Sequence, residues 1–567
     1  MLEKRWEIAK HDHRAAEELA GLIGVRPLTA ALLIARGYDT VAAAESFLNP
    51  SESNLSDPSL LAGIDTALER LTAAVASREK ILIWGDYDVD GTTGTVLLRK
   101  ALRILGLDSE YHVPNRFTEG YGLNIPAMAA AKQRGCSLVI TVDCGIRSFE
   151  PLEWARDNDL DVIVTDHHIS DPERGNPPAV AVVNPNQPGC PYPDKDLAGV
   201  GVAYKLAQAL LRDHGRDEVV RSFLKIAAIG TVADVMRLSG ENRSIVALGL
   251  RDITATTNFG LRALMEAAGC RSDMTSYDIG FRIAPRINAA GRMDVANHVI
   301  ELFEAGSFGE ARKIAELLDK KNRERQTIQQ LITEKAIEQS ESNGNLGFIV
   351  VAGEGWHRGV IGLAASRIAE RLHRPSIVLS TENGIAHGSA RSIPNFHLLD
   401  ALSSCGDLFD QYGGHAAAAG MKMSAENIDE LRDRLNVYAE NAISVEDRTP
   451  ALRIDARVAS QSLSLELLDE IAKLEPFGAG NPKPIFLTDG LEIRFDPTVM
   501  KDKHLKLYLI DSGGRRFEAV WWDGVERSIG RTLTPGTRIQ LAYTPEANKW
   551  QGNTRLQLVV EDIREHN

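Results

Sequence analysis

Short continuous runs of hydrophobic residues alternate with amphipathic segments between about residue 60 and residue 235. The runs are rich in Val and Ile, each ends in a polar residue, and the clearest are ILIWGD (81–86), SLVITVD (137–143), DVIVTD (161–166) and AVAVVN (179–184). Continuous apolar strands separated by helices are typical of a parallel sheet that is covered on both faces. Ligands of such sheets bind beyond the carboxyl ends of the strands, so the polar residues that end the runs are candidates for a functional site.

The regions on either side of this pattern differ from it. Residues 1 to 60 have the spacing of short helices, and residues 308 to 343 form one charged helical pattern that would span roughly 50 Å. A second α/β pattern runs from LGFIVVAGEG to residue 420, and the short strands and turns after residue 450 predict a small barrel. The predicted fold class is therefore α/β, with two α/β domains joined by a long helix and followed by a C-terminal β-barrel.

These patterns also predict where the domains begin and end. The predicted boundaries are 1–60 for an N-terminal helical extension, 61–307 for the first α/β domain, 308–343 for the connecting helix, 344–447 for the second α/β domain and 448–567 for the barrel.

Composition narrows the class of protein. The 567 residues are 44% hydrophobic and 25% charged, which is the balance of a soluble protein, and no apolar run approaches the roughly 20 residues of a membrane span. The polar N-terminus lacks the apolar core of a signal peptide, so we expect a cytoplasmic protein. The 5 cysteines are scattered without a CxxC pair, which favours free thiols over a zinc ribbon or a disulfide framework.

The net charge of −14 argues against a protein that coats nucleic acid with its whole surface. It leaves room for a local basic groove, because affinity for phosphates depends on where the Lys and Arg residues lie.

The strongest chemical signal is GDYDVDGTTGT, which places Asp86, Asp88 and Asp90 directly after the first buried strand. The spacing resembles an EF-hand loop, but the twelfth position is Leu97 instead of Glu, and a strand precedes the loop instead of a helix. Clustered carboxylates at the end of a buried strand repel one another strongly unless cations neutralise them. For this segment alone, exposed aspartates at the start of a helix are the alternative.

Later segments bring further metal-binding side chains to the same edge of the predicted sheet. SLVITVD ends in Asp143, DVIVTD leads into His167 and His168, and the apolar segment FLKIAAIGTVADVM delivers Asp234. Carboxylates with one or two imidazoles favour Mn²⁺ or Mg²⁺ over structural zinc. Two such ions about 3.5–4 Å apart can clamp both the attacking and the leaving oxygen of a phosphoryl transfer. The sequence therefore predicts a two-metal site for phosphodiester chemistry.

The motifs DYDVDG, VDCGI, TDHH and GTVADV, in this order, resemble the motif set of the DHH phosphoesterase superfamily. GGHAAAAG (413–420) resembles the glycine-rich signature of the domain that usually accompanies it. VPNRFTEGYGLN (113–124), APRINAAGRM (284–293) and FGAGNPKPIF (477–486) are similar to segments of the RecJ exonuclease family within this superfamily. The resemblance covers nearly the whole chain. It implies a DHH catalytic domain, a DHH-associated domain and a barrel of the OB-fold type that binds nucleic acid.

The resemblance also implies site residues. The metal-site and catalytic positions are Asp86, Asp88, Asp90, Asp143, His167, His168 and Asp234. Which of the three clustered aspartates contact metal directly stays open, and His168 is either a ligand or a phosphate contact. The implied substrate-binding positions are Arg116, Arg286, Asn288, Arg292, Ser389, Arg391, Gly413, Gly414 and His415.

The HGSARS and GGH segments would hold the 5′ phosphate and the terminal nucleotide, across a cleft from the metals. A surface ion pair is the alternative for each arginine taken singly. A helix-packing turn is the alternative for the GGH segment.

The implied activity is that of a single-stranded-DNA-specific exonuclease of DNA repair and recombination. Such an enzyme degrades DNA from the 5′ end to 5′-mononucleotides with two Mn²⁺ or Mg²⁺ ions. The implied partners are single-stranded DNA, a single-strand-binding protein and a helicase; we expect a monomer that contacts no membrane. One alternative is a DHH phosphodiesterase for short oligonucleotides, although such enzymes lack the N-terminal extension and the barrel. Another is a non-catalytic DHH scaffold of replication, which would have lost the carboxylates.

Aromatic residues of the barrel are candidates for stacking on unpaired bases, and packing in the barrel core is the favoured alternative for Trp521 and Trp522. Phe517, Trp521, Trp522 and Trp550 are the residues concerned. Because successive side chains of a strand point to opposite faces, we expect at most one of Trp521 and Trp522 to be exposed.

Overall fold

The computed structural model describes residues 3–293, 295–342, 347–528, 533–550 and 553–566. Contacts between residues divide the chain into two compact units, and each is described by itself. Unit 1 comprises residues 1–41, 324–473 and 483–567, and unit 2 comprises residues 42–323 and 474–482. The domain boundaries stated above remain a prediction.

The described chain begins with a strand, although the sequence pattern predicts helices throughout residues 1–60. The strand β1 (Arg5–Ile8) pairs in parallel with residues 451–454 of the same unit. A partner so far along the chain leaves no local pattern, which is why the helical prediction is wrong here. The helices that follow are α1 (His13–Ile23), α2 (Pro27–Ala35), α3 (Val41–Leu48) and α4 (Ile64–Ser77).

No helix in the described ranges is by itself long and apolar enough to cross a membrane. The pair α1 and α2 meets that length and composition only when taken together across a bend of 110°.

A five-stranded parallel sheet forms the centre of unit 2, as predicted. Its elements are β2 (Ile81–Gly85), α5 (Val89–Ile104), β3 (Ser109–His112), α6 (Ile125–Gln133), β4 (Leu138–Val142), α7 (Phe149–Asp157), β5 (Asp161–Thr165), β6 (Ala181–Val183) and α8 (Gly199–Asp213). Alternate residues of β2 enter two different cores: Ile81 and Ile83 one of them, Leu82 and Trp84 the other. Burial on both faces explains the unbroken apolar runs.

The strand order of this sheet is β3-β2-β4-β5-β6, with every pairing parallel. After β2 the chain adds β3 on one side of the sheet, and from β4 onwards it adds β5 and β6 on the other side. The gap between β2 and β4 is therefore the point at which the strand order reverses. Open parallel sheets bind their ligands at such a switch point, beyond the carboxyl ends of the two strands.

Helices make up the rest of unit 2. They are α9 (Leu224–Ala233), α10 (Gly240–Ile253), α11 (Phe259–Ala267), α12 (Ser276–Asp278), α13 (Ala284–Arg292) and α14 (Asn297–Glu304). A π-helical stretch, Ile279–Ile283, connects α12 to α13 without a break. The predicted long charged helix is present as α15 (Phe308–Ser342) and contributes residues to both units.

The second α/β region lies in unit 1. Its elements are β7 (Ile349–Glu354), α16 (Ile361–Leu372), β8 (Ser376–Glu382), β9 (Ile385–Arg391), α17 (Leu398–Ser403), β10 (Phe409–Gly414), β11 (Ala418–Ser424) and α18 (Ile428–Ala442). The sheet order is β10-β11-β9-β8-β7, and only β7 and β8 are parallel among these strands.

The C-terminal strands of unit 1 close into a barrel, as predicted. The strand β12 (Ala451–Ile454), which pairs with β1, precedes the barrel and is not part of its sheet. The elements of the barrel region are β13 (Ala456–Arg457), α19 (Leu465–Ala472), β14 (Phe486–Ile493), β15 (Thr498–Met500), β16 (His504–Ile510), β17 (Arg516–Trp521), α20 (Gly524–Arg527), β18 (Arg538–Trp550) and β19 (Asn553–Glu565). Closure results because β14 pairs with β18 along one edge and with β16 along the other. PIFLTDG and LEIRFD are one bulged strand, β14, instead of the two strands that the pattern suggests.

The barrel separates its aromatic residues as alternation predicts. Trp521 and Phe517 are buried in the barrel, whereas Trp522 is 51% exposed. The side chain of Trp550 lies outside the described part of the structure.

Candidate metal centre

Aspartates follow the two strands that flank the switch point of the unit 2 sheet. Asp86 comes directly after β2, and Asp143 directly after β4. Asp88 caps helix α5 by accepting a hydrogen bond of 3.0 Å from the Gly91 N–H, and Asp90 lies in the first turn of this helix. The short turn from β2 into α5 therefore brings three carboxylates to the carboxyl end of the sheet.

Helix α8 fixes the Asp90 carboxylate. The backbone N–H groups of Gly199 and Val200, at the start of α8, donate to its two oxygens over 2.7 and 2.8 Å. The N-terminus of a helix carries partial positive charge, which stabilises a carboxylate held there. A Cβ atom on Gly199 would lie 2.8 Å from Asp90 Oδ2 and 2.9 Å from Asp143 Cβ, so only glycine permits this approach.

The histidines follow β5 and are oriented by Asp166. Asp166 Oδ1 lies 2.7 Å from His168 Nδ1 and accepts the His168 backbone N–H at 3.1 Å. The Tyr121 hydroxyl donates to the Asp143 carbonyl at 2.9 Å and lies 3.4 Å from His168 Nδ1. The side chains of Asn184 and Asn186 donate to the carbonyls of His168 and His167 over 2.9 and 2.6 Å. Both the rings and the backbone of this turn are thus held from several sides.

The His167 ring faces three carboxylates. Its Nε2 atom lies 3.1 Å from Asp143 Oδ1, 3.6 Å from Asp234 Oδ2 and 3.9 Å from Asp90 Oδ2. An imidazole nitrogen that faces several carboxylates can share a metal ion with them.

Asp234 reaches the cluster from the end of a helix. The sequence predicts that its apolar segment meets the edge of the sheet together with the strands, and does not distinguish a helix from a strand. The segment FLKIAAIGTVADVM forms helix α9, which packs against α5 and α8 and has Asp234 at its C-terminus. A short run that is apolar all round does not distinguish a buried helix from a buried strand.

The cluster is electrostatically costly without cations. Burial and the neighbouring carboxylates raise the pKa values of Asp86, Asp90 and Asp143 well above their usual range. The same two causes, burial first and then Asp88, raise the pKa of Asp234 to about 7. Burial, with His168 as the second cause, lowers the pKa of His167 to about 4, so this imidazole is neutral at physiological pH.

His168 and Asp166 shift each other's pKa in opposite directions. Burial would lower the pKa of His168, but the hydrogen bond and the charge of Asp166 outweigh it and raise the pKa. Burial would likewise raise the pKa of Asp166, but the hydrogen bonds from His168 and Ile146 lower it.

The residues fit divalent ions. One donor atom from each member lies within 4.8 Å of the others in three groups: Asp143 with His167 and His168, Asp90 with His167 and Asp234, and Asp86 with Asp88 and Asp143. Among the described residues, one buried oxygen of Asp86 and one of Asp143 have no hydrogen-bond partner. For Asp143 this oxygen is the one 3.1 Å from His167 Nε2, an approach without hydrogen-bond geometry. Oxygen donors with few imidazoles suit Mn²⁺ or Mg²⁺.

A cavity of about 390 Å³ opens beside the carboxylates. Three of the residues expected to contact substrate line it, namely Arg116, Asn288 and Arg292. The Arg116 guanidinium lies 5.0 Å from the centre of the Tyr87 ring, a cation–π contact. Helix α13 approaches this wall closely, since a Cβ on Gly291 would lie 2.3 Å from the Tyr87 carbonyl oxygen. The lining of the cavity thus combines buried carboxylates with two arginines and one asparagine.

Arg286 does not line this cavity, although the APRINAAGRM motif suggests a substrate contact. Its guanidinium forms an ion pair of 2.8 Å with the buried Asp319 and donates to the carbonyl of Arg282. The ion pair fixes α13 to the long helix α15, so a structural role accounts for Arg286.

The remaining candidate residues lie together in the unit 1 sheet. Ser389 on β9 is opposite Gly420 on β11, which in turn is opposite Gly413 on β10. Arg391 lies two residues further along β9, opposite Ala418, and the Ala418 carbonyl accepts the His415 N–H at 2.8 Å. Arg391 Nη1 donates to the Ser389 hydroxyl at 3.2 Å. Register in the sheet therefore groups residues that are far apart in sequence.

Sequence reasoning missed several residues that shape the metal centre. Asp166 stands in the TDHH motif and Tyr121 in the EGYGLN motif, so both motifs carried a signal. Asn184 and Asn186 flank a proline after β6, and no pattern in the sequence connects them to the histidines.

Buried carboxylates and a neutral imidazole at the switch point, next to an arginine-lined cavity, define a metal-dependent phosphoesterase. Three family models match the chain: the N-terminal domain of the DHH family at residues 80–231, the DHHA1 domain at 345–441 and the RecJ OB domain at 454–562.

Known relatives specify the family within this class. The single-stranded-DNA-specific exonuclease RecJ of Bacillus subtilis is 39% identical over 98% of this chain and 70% of its own length. The Escherichia coli protein of the same name is 35% identical over 89% of this chain and 90% of its own length. The chain belongs to the RecJ family of single-stranded-DNA-specific exonucleases.

Solved structures agree with this assignment. The crystal structure of RecJ with Mn²⁺ from Thermus thermophilus matches 99% of this chain and 80% of its own, with a TM-score of 0.85 and 30% identity. The corresponding structure with Mg²⁺ matches 99% of this chain and 79% of its own, with a TM-score of 0.79 and 29% identity.

Proposed function

We propose that the chain degrades single-stranded DNA from its 5′ end and releases 5′-mononucleotides by metal-dependent hydrolysis. The activity of a metal-dependent single-stranded-DNA exonuclease follows from its family. The observation that carries the mechanism is the convergence of buried carboxylates and His167 at one edge of the unit 2 sheet. All seven expected positions are present, which argues against a scaffold that has lost its activity.

Two Mn²⁺ or Mg²⁺ ions would be held by Asp86, Asp88, Asp90, Asp143, His167 and Asp234. When bound, such ions polarise the scissile phosphate and lower the pKa of an attacking water. Asp90 would bind a metal ion while its two oxygens also accept hydrogen bonds from the Gly199 and Val200 N–H groups. These hydrogen bonds fix the position of the carboxylate before any ion arrives.

The scissile phosphate is bound by the other wall of the cavity. Arg116 and Arg292 would pair with its oxygens, and Asn288 would donate from its side-chain amide. His168, whose charged form Asp166 favours, is placed to donate a hydrogen bond to the same phosphate. These donors stabilise the negative charge that develops in the transition state.

The 5′ terminal phosphate is held, in this proposal, by unit 1. The hydroxyl of Ser389, the guanidinium of Arg391, the backbone of Gly413 and Gly414 and the ring of His415 supply donors of the required kind. Their grouping in the same part of the sheet supports the proposal. A pocket for the terminal phosphate would explain both the need for an end and the length of the product.

The barrel provides a second binding surface for the single-stranded DNA. Trp522 is exposed and has the His504 ring 4.9 Å away at a steep angle, so one face of its indole can take a base. Replacing Trp522 with Ala should weaken binding of long single strands about five-fold and leave the chemical step unchanged.

We also propose a place in DNA repair and recombination. A single-stranded substrate must be supplied by an enzyme that separates duplex strands, and free single strands are covered by a single-strand-binding protein. Stimulation of duplex degradation by an added helicase tests the first of these partners.

Polarity and metal dependence are tested together with single strands labelled at one end. A 5′ label should appear at once as a mononucleotide in Mn²⁺, and a 3′ label only after the strand has shortened stepwise. Chelation of the metal should abolish both products. Release of the 3′ label first would contradict the proposed polarity.

A further inference from the structure

Two aromatic rings stand stacked on the surface of unit 2. Tyr277 and Phe281 have ring centres 4.6 Å apart and an angle of 25° between ring planes. Tyr277 is 56% exposed and Phe281 is 69% exposed. Burying such a side chain stabilises a fold by roughly 1.5–3 kcal/mol, so a chain gains nothing in stability by presenting two of them to water.

The fold itself turns these rings outward. In the continuous helical run from α12 to α13, Ile279, Ile283 and Ile287 are buried in the core of unit 2. Tyr277 and Phe281 lie on the other side of the run and take no part in that core. The apolar residues that stabilise this segment are therefore distinct from the aromatic pair.

The exposed pair belongs to the same helical run as the phosphate-binding wall of the cavity. Asn288 and Arg292, which line the cavity, follow Phe281 by seven and eleven residues along this run. At the rise and periodicity of helices, Phe281 lies about 15 Å along the axis from Arg292 and projects to nearly the same side.

A second path connects the rings to the metal centre. A Cβ atom on Gly280 would lie 3.6 Å from Val232, two residues before Asp234 at the end of α9. The next residue, Val235, is exposed and lines the cavity. Gly280, which lies between the two aromatic residues in sequence, therefore packs near the helix whose C-terminal end lines the cavity.

We propose that Tyr277 and Phe281 form a stacking ledge for the unpaired bases of the DNA strand, a few nucleotides from the scissile phosphate. The ledge rests on the proposed function, because it extends the substrate path of that site. Arginines in the cavity suit phosphates, whereas two uncharged rings suit the faces of bases. At the 3.4 Å spacing of stacked bases, the ledge would meet the strand about four nucleotides from Arg292.

The first test compares long and short substrates. The double variant Tyr277→Leu, Phe281→Leu keeps apolar side chains and removes both rings. It should lower kcat/KM about ten-fold on a long 5′-phosphorylated single strand, since stacking on aromatic side chains contributes on this scale. A 5′-phosphorylated dinucleotide is too short to reach the ledge, and its kcat/KM should not change. Phe281→Trp should retain activity on the long strand.

Phe259→Leu is the matched control, because Phe259 is an exposed aromatic residue of the same unit that begins helix α11. It should leave both substrates unaffected. Equal activity of the double variant and the wild type on long strands would overturn the proposal. An equal loss on the dinucleotide would also overturn it, because the rings would then act on the cavity itself.

The second test locates the contact on the DNA. A series of strands, each lacking the base at one position, is bound to wild type and to the double variant in the presence of a chelator. One position near the fourth nucleotide from the cut should weaken binding to the wild type and leave binding to the variant unchanged. The same sensitivity in both proteins, or no sensitive position, would contradict the ledge. Because no cutting is needed, this result is independent of whether the proposed hydrolysis is correct.

Discussion

The metal centre in unit 2 and the row of donors in unit 1 are built in opposite ways. Asp90 and Asp143 are fully buried beside like charges, and their pKa values are raised by burial and by their neighbours. Ser389, Arg391 and His415 are half-buried or exposed, and Nη1 of Arg391 makes two local hydrogen bonds, to the Ser389 hydroxyl and the Ala390 carbonyl. The first region cannot be stable with all carboxylates ionised unless cations are bound.

This difference determines how each function can be recognised. Burying like charges next to one another destabilises a fold, so a buried cluster of carboxylates points to a cation that neutralises them. An exposed arginine beside a serine occurs on many surfaces, and its role here rests on the family and on the sheet register. The two regions should accordingly respond differently to substitution.

The largest expected effect comes from the buried region. Asp143→Asn or His167→Ala should reduce nuclease turnover in Mn²⁺ by more than about a hundred-fold, because a donor at the centre of the cluster is lost. Turnover is measured by release of mononucleotides, and circular dichroism checks the fold. Asp157→Asn and His298→Ala alter an exposed and a half-buried residue of the same unit, both outside the cluster, and should retain full activity. Normal turnover of a correctly folded Asp143→Asn enzyme would show that the buried carboxylate is not required, and would contradict the contrast between the buried and the exposed region.

Arg391→Ala should have the next largest effect. Loss of a hydrogen bond to a charged phosphate costs about 1.5–3 kcal/mol, which is about a ten- to hundred-fold loss of kcat/KM. The loss should appear on 5′-phosphorylated strands and be much smaller on 5′-hydroxyl strands. Arg367→Ala on helix α16 of the same unit is the matched control. A penalty that does not depend on the 5′ group would place the terminal-phosphate pocket elsewhere.

Substitution of Gly413 and of Gly414 distinguishes a structural role of the turn beside His415 from a role in substrate binding. A Cβ on Gly414 would lie 2.3 Å from the Ala418 carbonyl oxygen, at a φ of 152° that disfavours other residues. Gly414→Ala should therefore lower the free energy of unfolding by about 1–3 kcal/mol. Gly413 has open space around its Cβ position, so Gly413→Ala should change stability by less than about 0.5 kcal/mol.

Activity of the folded Gly413→Ala protein then reports on the substrate. A few-fold loss on 5′-phosphorylated strands is expected if the phosphate approaches this backbone. Unchanged kcat/KM would assign Gly413 to the hairpin alone.

The smallest expected effect is a dependence of stability on pH in the metal-free protein. The pKa of Asp234 is raised to about 7 in the folded chain, and those of Asp86, Asp90 and Asp143 are raised as well. The folded state therefore binds more protons than the unfolded state above about pH 4, and stability falls as pH rises towards 7. The melting temperature in a chelating buffer should decrease over this range.

Added Mn²⁺ should reverse that slope, because metal binding displaces the protons. Asp234→Asn should flatten the slope in the metal-free protein. A melting temperature that rises with pH in chelator would show that the cluster is not held in the way described.

The sequence predicts the parts of this structure that have a local signature. Buried parallel strands produce unbroken apolar runs, so the sequence predicts β2, β4 and β5, and it shows which aspartates and histidines follow them. The strand β1 and the helical origin of Asp234 were not, because they depend on distant partners and on an apolar run that suits either element. Arg286 illustrates the same limit, since its ion pair with Asp319 has no trace in the motif around it. Asn184 and Asn186 act through backbone carbonyls, which no side-chain pattern marks.

The number of Mn²⁺ ions bound per chain tests the central claim most directly. Isothermal titration of the purified protein should give two ions per chain, and titration of Asp143→Asn should give fewer, with the fold unchanged. Two ions bound equally by wild type and variant, or no tight binding by the wild type, would contradict a metal centre built on these carboxylates.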